Sequence, residues 1–236
     1  MIISRKRKKQ IFKHLLSTVL SIVYMLHILL LIQVLPLAYP ANRNTVQPAI
    51  TVQWPLTEET IVSWGGDSYV ENYHVEWPAS RWAYDLLMQP YNTQSQTLSD
   101  YGIWEKPIIS SVDGKIIAVS DEEQDVLPNQ DEFLSQEGNY IYIEIAETKT
   151  FLVLNHLRKN SIVVKAGDEV KVGDLLGLVG NSGMSSEPHL HIHHQRQNPL
   201  HTLSPLIAEG LPLYFYNREQ IDFPVKDDII YPSSYL

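Results

Sequence analysis

The stretch that decides how this chain folds is its histidine-rich segment, Ser185-Ser186-Glu187-Pro188-His189-Leu190-His191-Ile192-His193-His194-Gln195. Pro188 disfavours helix for the residue before it, so the segment is predicted to run as extended chain. Side chains two residues apart in a strand point to the same side of a sheet. His189, His191 and His193 are therefore expected to share one face, and the aliphatic residues between them to face the opposite way.

Imidazoles on one face of a strand suit a zinc site, because zinc binds neutral histidine nitrogens and a catalytic zinc keeps one position open. Four of the nine histidines fall between His189 and His194. A set of hydrogen-bonded histidines is the alternative, but the preceding loop Gly180-Asn181-Ser182-Gly183 favours the metal site. The sequence has no cysteine, which excludes disulfides, thiolate-bound zinc and thiol catalysis.

Outside this segment, the chain from about residue 45 onward is predicted to be β-structure. The composition is 44% hydrophobic and 19% charged, as in ordinary globular domains. Short runs of Val, Ile, Tyr and Trp alternate with turn residues. The individual predictions are a hairpin at Glu147–Lys149, a hairpin at Asp113-Gly114, tight turns at Gly167-Asp168 and Gly173-Asp174, an acidic loop at 121–136 and an extended tail at 210–236.

The N-terminus is predicted to be an export element. The first 40 residues carry six basic residues and no acid, and Leu15–Leu37 has no charged residue. About 20 apolar residues suffice to cross a bilayer, and a basic cluster stays in the cytoplasm. We therefore expect residues 1–44 to be an anchor or signal segment and residues 45–236 to be an extracytoplasmic domain.

Cleavage and burial of this segment are the open alternatives. Pro36-Leu37-Ala38 offers a small residue at a possible cleavage site but matches the A-x-A pattern poorly, which favours an uncleaved anchor over a secreted protein. A buried core helix is disfavoured because the segment is terminal and hydrophobic on every face. Removing the charge of +6 of the first 40 residues from the net charge of −9 leaves −15 for the rest of the chain, which argues against nucleic acid as a partner.

Several further motifs occur together between residues 60 and 195. They are Trp64-Gly65-Gly66, Asn72-Tyr73-His74, Arg81-Trp82-Ala83-Tyr84-Asp85, Asn155-His156-Leu157, Val164–Val170, Gly180–Gly183 and Pro188–His191. This combination resembles the lysostaphin-type family of zinc endopeptidases. The resemblance implies a mainly β fold, with an antiparallel sheet core like a duplicated hybrid motif after the N-terminal apolar helix.

The resemblance also implies roles for four residues. It assigns zinc binding to His191 and Asp85, and catalysis beside the metal to His156 and His189. The residues themselves single out Asp85, because a carboxylate on a largely apolar face of a predicted strand, Arg81–Leu87, is costly unless it is paired or metal-bound. A salt bridge to Arg81 or a turn-capping role is the alternative for this carboxylate.

The third zinc ligand departs from the family's usual pattern. A histidine commonly stands four residues before the aspartate, and here that position is Arg81, whose guanidinium offers no lone pair. We predict His74 instead, on a segment that reverses through Pro78–Ser80 and runs antiparallel beside the Asp85 strand. His193 is the rival ligand, and a hydrogen-bonded loop role is the alternative for His74. The arrangement resembles a variant branch of the same family.

The activity that the resemblance implies is zinc-dependent hydrolysis of peptide bonds in bacterial peptidoglycan. Its partners are then peptidoglycan peptides and, through the N-terminal segment, the membrane. The alternative is a catalytically impaired domain that binds or regulates another wall enzyme. Arg81 favours that alternative, whereas the presence of Asp85 and the three histidines disfavours it. Without an H-E-x-x-H motif, Glu187 is not expected to be the general base.

Overall fold

The computed structural model describes residues 5–31, 41–130, 132–202, 207–217 and 220–232. Within them the chain forms one α-helix, α1 (Arg5–Leu31), and short 3-10 helices at Tyr73–Glu76, Leu98–Asp100 and Pro199–His201. The strands are β1 (Ile50–Val52), β2 (Thr60–Trp64), β3 (Tyr84–Leu87), β4 (Pro107–Ile109), β5 (Gly114–Ser120), β6 (Asn139–Ile145), β7 (Phe151–Leu157), β8 (Glu169–Val170), β9 (Leu175–Leu178), β10 (Leu190–Gln195), β11 (Gly210–Leu211), β12 (Leu213–Asn217), β13 (Gln220–Asp222) and β14 (Ile229–Ile230). The predicted mainly β fold with one N-terminal apolar helix is confirmed.

The largest sheet has nine strands in the order β14-β2-β3-β10-β7-β6-β5-β8, with β11 paired to β10. Its pairings are antiparallel. The histidine-rich strand β10 lies near the middle, between β3 and β7. A three-stranded sheet joins β1, β12 and β13, and β4 pairs with β9 in a two-stranded sheet.

One face of the large sheet is buried in the main core. Ile192 of β10 pairs with Tyr84 of β3 and Leu154 of β7, and all three belong to one hydrophobic cluster. Phe215 of β12 covers them, with its ring centroid 5.1 Å from that of Tyr84. Each such side chain contributes roughly 1.5–3 kcal/mol when it is removed from water. The opposite face is therefore free to carry polar side chains, as the alternation in the histidine-rich segment predicted.

The predicted turns have mixed outcomes. β6 and β7 form the expected hairpin around Glu147–Lys149. Gly167 and Gly173 take positive φ angles of 99° and 90°, and the aspartate after each glycine accepts a hydrogen bond from the backbone three residues earlier. Both predicted tight turns are therefore confirmed.

The predicted hairpin at Asp113-Gly114 is wrong. β4 pairs with β9, whereas β5 pairs with β6 and β8. The backbone between β4 and β5 bonds to distant segments instead, since Ser110 N donates to Asp174 O at 2.8 Å. The two apolar runs on either side of Asp113-Gly114 thus form β4 and β5, which belong to different sheets because each pairs with another strand.

The N-terminal helix α1 has 27 residues. By length and composition its segment Arg5–Leu29 is able to cross a membrane, and a signal sequence meets the same criterion. The helix is compatible with either form of export element. The possible cleavage site at Pro36-Leu37-Ala38 lies outside the described residues.

Candidate metal centre and surrounding groove

Strand pairing places Asp85 of β3 directly beside His191 of β10. Paired residues of antiparallel strands project from the same face, and here that face is the one opposite the core. His191 Nδ1 lies 2.9 Å from Asp85 Oδ1. Two residues that the sequence predicted to bind one metal are therefore in contact. The strand that carries Asp85 begins at Tyr84 and not at Arg81 as predicted, because Ala83 N closes a turn onto Ser80 O.

His74 reaches the same carboxylate from a different element. Its Nε2 lies 2.9 Å from Asp85 Oδ2. The predicted antiparallel strand at His74 is wrong, since the residue lies in the 3-10 helix Tyr73–Glu76. Asn72 caps this helix by accepting from His74 N, and its amide donates to the backbone oxygens of Gly66 and Ala83. Asn72 thus ties the short helix to the start of β3.

The donor atoms of His74, Asp85 and His191 lie within 4.8 Å of one another, and all three residues are buried. Two imidazole nitrogens and one carboxylate oxygen form a donor set that zinc accepts in catalytic sites. Burial lowers the pKa of His191, so its imidazole is neutral. Burial alone would raise the pKa of Asp85, but the neighbouring histidines outweigh burial and hold this pKa well below its usual range. The residues present therefore fit a divalent zinc ion.

The two other residues considered for this site do not belong to the group of three converging donors. Arg81 bonds to Asp67, with 3.0 Å between Nη2 and Oδ1, and its guanidinium packs over Trp82. The salt bridge weighed between Arg81 and Asp85 is thus replaced by one with Asp67. His193 contacts the far side of His191, where its Nδ1 lies 2.9 Å from His191 Nε2.

His156 reaches the site through an irregularity in its strand. The pairing of β6 with β7 shifts near this residue, and His156 has a φ of 65°. A regular strand would send Asn155 and His156 to opposite faces, whereas here both line the same groove. Bulges redirect side chains in this way. The ring centroid of His156 lies 4.6 Å from that of His189 and 6.0 Å from that of His191.

Backbone carbonyls orient both predicted catalytic histidines. His156 Nδ1 lies 2.8 Å from Ser182 O, and His189 Nδ1 lies 2.9 Å from Glu187 O. A carbonyl only accepts, so each Nδ1 carries a proton, and in the neutral form of either ring the lone pair is on Nε2. His189 Nε2 lies 3.8 Å from Asp85 Oδ1, and burial holds the pKa of His156 well below its usual range. Both rings are thus oriented so that Nε2 can accept a proton close to the donor group formed by His74, Asp85 and His191.

A groove crosses this group in two arms of about 330 Å³ and 280 Å³. His74, His156 and His191 line the first arm, and Asp85 and His189 line the second. Tyr73 and Met184 line both arms. Neither arm has a Lys or Arg among the residues that the structure describes, so the groove suits an uncharged or cationic chain.

Two residues of the groove were not assigned a role from the sequence. Tyr73 places its hydroxyl 3.4 Å from Asp85 Oδ2, and its place beside His74 was a signal that could have found it. Asn155 pairs with His191 across β7 and β10. Its Oδ1 is buried without a hydrogen-bond partner in the described structure, and only the fold makes this visible.

Comparisons with known proteins match part of this chain to a family of peptidases. Residues 100–202 match the model of peptidase family M23. The "uncharacterized metalloprotease" of Buchnera aphidicola subsp. Baizongia pistaciae is 34% identical over 123 residues, 50% of this chain. The match spans only 27% of that relative. These matches support family M23, the lysostaphin-type peptidases, for this chain. The family match includes His156, His189 and His191, but it begins after His74 and Asp85.

The solved structures to which parts of this chain are similar include two peptidases. A zinc-containing peptidase from Vibrio cholerae is 28% identical, with a TM-score of 0.32 over 48% of this chain and 26% of that one. Lysostaphin from Staphylococcus simulans is 18% identical, with a TM-score of 0.40 over 68% of this chain and 50% of that one.

Proposed function

We propose that this protein is an exported zinc-dependent endopeptidase that hydrolyses peptide bonds of bacterial peptidoglycan. One observation carries the proposal: His74, Asp85 and His191 converge within 4.8 Å in a groove. His156 and His189 stand beside them with lone pairs available. A site built only for binding has no chemical need for both a metal-capable group and two oriented bases.

His74, Asp85 and His191 would hold the zinc, and Arg81 takes no part in the variant arrangement. Bound zinc supplies a Lewis acid that polarises a carbonyl and makes water more acidic. The low pKa of the Asp85 carboxyl keeps it ionised, and the neutral His191 ring keeps a lone pair. Both are the forms in which these side chains bind metal.

The remaining histidines would move protons. The Nε2 of His156 or His189 accepts a proton from the attacking water and later returns it to the leaving amine. The other ring would position that water, because its Nε2 lone pair accepts the water's second hydrogen bond. Tyr73 is a donor at the groove. Because burial and the Asp85 hydrogen bond raise its pKa, its hydroxyl keeps its proton.

The groove supports a peptide as substrate. The unpaired Oδ1 of Asn155 needs a donor, because a buried unsatisfied polar atom costs roughly 1–3 kcal/mol. Asn155 lines the groove, and a turn of its side-chain amide would bring this acceptor to a backbone N–H of an extended peptide. The choice of peptidoglycan rests on the resemblance to the lysostaphin-type family and on the helix α1, which is compatible with export. Residues 45–236 would then face the cell wall.

The second candidate is a binding or regulatory module for another wall enzyme. Arg81, in the position where the family commonly has a metal-binding histidine, is the observation that favours it. His74 lies beside Asp85 and offers the imidazole nitrogen that Arg81 cannot provide, which favours the enzyme. Metal content separates these two candidates.

The test uses the full chain purified in detergent. Elemental analysis should find about one zinc per chain, and the loaded protein should release peptide fragments from purified peptidoglycan that mass spectrometry identifies. Chelation should abolish release, and added zinc should restore it. Asp85→Asn is the matched inactive control. A protein that holds no zinc, or one that is loaded with zinc but releases no fragments, would contradict the enzyme proposal.

A further inference from the structure

We propose that His193 and Gln195 are positioning residues that set the protonation pattern of the His191 ring, so that its Nδ1 presents a lone pair to a cation. The inference rests on the proposed metal-binding role of His191. It concerns side chains that the family resemblance gave no role. The three residues alternate along β10, and so they project from one face of the strand.

The three side chains form a continuous chain of hydrogen bonds. His191 Nε2 lies 2.9 Å from His193 Nδ1. His193 Nε2 lies 3.0 Å from Gln195 Oε1. Gln195 Nε2 donates to the backbone oxygen of Gln197 at 2.7 Å. The residues are 4–6% exposed, so water does not compete strongly for these bonds.

The direction of every hydrogen bond in this chain is fixed by the last bond, from Gln195 to Gln197. The carbonyl of Gln197 only accepts, so the amide of Gln195 must direct its NH₂ there and its Oε1 towards His193. His193 Nε2 must then carry a proton and donate it to Oε1. A neutral imidazole has one N–H, so His193 Nδ1 is an acceptor. His191 Nε2 therefore donates to it, which leaves the lone pair of His191 on Nδ1.

This pattern has a consequence on the other side of the His191 ring. Its Nδ1 lies 2.9 Å from Asp85 Oδ1, and an ionised carboxylate only accepts. Two acceptors at this separation repel each other unless a cation lies beside both. The chain of bonds from Gln197 thus opposes a plain histidine–aspartate hydrogen bond and favours a bound cation. Partners that fix the orientation and tautomer of a metal-binding histidine in this way commonly change metal affinity by 10–100-fold.

The experiment compares zinc affinity among variants of the full chain in detergent, by competition with a coloured chelator. His193→Phe keeps the ring but removes the acceptor. His193→Asn keeps an acceptor, because Oδ1 takes the place of Nδ1. His194→Gln is the matched control, since this neighbour is also buried but bonds to Thr150 and Pro212 instead. Gln195→Met removes the link to Gln197 without touching either histidine.

We expect His193→Phe to bind zinc roughly 10–100-fold more weakly. His193→Asn should recover most of the loss, and His194→Gln should bind as the wild type does even if it lowers the melting temperature. Gln195→Met should weaken binding less than His193→Phe. As a second measurement, two-bond ¹H–¹⁵N spectra of the zinc-loaded wild type should show the His191 proton on Nε2.

Several results would overturn the inference. One is equal zinc affinity for His193→Phe and the wild type. Another is a loss of affinity in all variants, His194→Gln included, in proportion to their loss of stability. A His191 proton on Nδ1 would be equally decisive. Should the wild type itself bind no zinc, the proposed function fails first, which distinguishes the two failures. Should His193→Phe misfold, Gln195→Met decides by the same comparison with His194→Gln.

Discussion

Asp85 Oδ1 lies 2.9 Å from His191 Nδ1 although 106 positions separate the two residues in the chain. The contact exists because β3 and β10 are neighbours in the large sheet, in the register that pairs these two residues. His74 binds the other oxygen of the same carboxylate. One buried carboxylate thus organises the candidate metal centre, and the predictions below test its parts.

The histidines should separate into those that hold metal and those that turn over substrate. His191→Ala should lose zinc, because a donor atom is removed. His156→Ala and His189→Ala should keep most of the zinc but lose about 10²–10⁴-fold in kcat. Zinc content and the rate of peptidoglycan hydrolysis are measured on the same preparations. If His189→Ala lost the metal and His191→Ala kept it, the two assignments would be reversed.

The third ligand should be His74 and not the position that the family commonly uses. We expect His74→Ala to weaken zinc binding, because two protein donors remain where an open catalytic site usually has three. Arg81→Ala is the comparison, and it should keep its zinc even if the loss of its bond to Asp67 lowers stability. Elemental analysis of both variants after dialysis checks this. Retention of zinc by His74→Ala, with loss in His193→Ala, would favour the rival ligand.

Asn155 should contribute to substrate binding. Asn155→Leu has nearly the same shape but offers no acceptor, so KM for a peptide substrate should rise roughly 3–10-fold, the equivalent of one lost hydrogen bond. The melting temperature should stay equal or rise, because a buried unpaired oxygen has been removed. Zinc content serves as the control and should not change. An unchanged KM together with lower stability would mean that Asn155 has only a structural role.

The zinc-free protein should lose stability in acid, in part through His194. Burial, and to a lesser extent Arg196, lowers the pKa of His194 from 6.5 to about 3. Between these pH values His194 binds a proton in the unfolded chain but not in the folded chain. The free energy of unfolding should therefore fall as the pH drops below about 6.5, by up to about 1.4 kcal/mol per pH unit for this residue.

His194→Gln removes the titrating imidazole, so the variant can be compared with the wild type. Its free energy of unfolding should depend less steeply on pH between about 3 and 6.5, even though the variant is less stable at neutral pH. Urea denaturation at several pH values, followed by tryptophan fluorescence in the presence of chelator, gives both slopes. Equal slopes for the two proteins would show that His194 is not the group that titrates.

The sequence by itself determined the parts of this protein that depend on local pattern. The alternation of Leu190, His191, Ile192 and His193 sets which side chains meet the core, because a strand has a period of two. The tight turns at Gly167 and Gly173 follow from residues that adopt positive φ easily. The length and composition of the apolar segment near the N-terminus are enough to show that it could cross a membrane as a helix. The resemblance to the lysostaphin-type family pointed to Asp85 and His191 as metal ligands, and His74 was predicted because Arg81 has no lone pair to offer a metal.

Only the tertiary structure decided how these pieces meet. The register between β3 and β10 sets Asp85 beside His191, and register depends on the packing of whole strands, which no local pattern contains. The irregular pairing at His156 turns that ring into the groove, although regular alternation would bury it elsewhere. His74 arrives on a short helix held by Asn72 and not on a strand. The partners of Arg81 and β4 were likewise set by distant segments, because hydrogen bonds and core contacts between remote residues outweigh the preference of a short stretch.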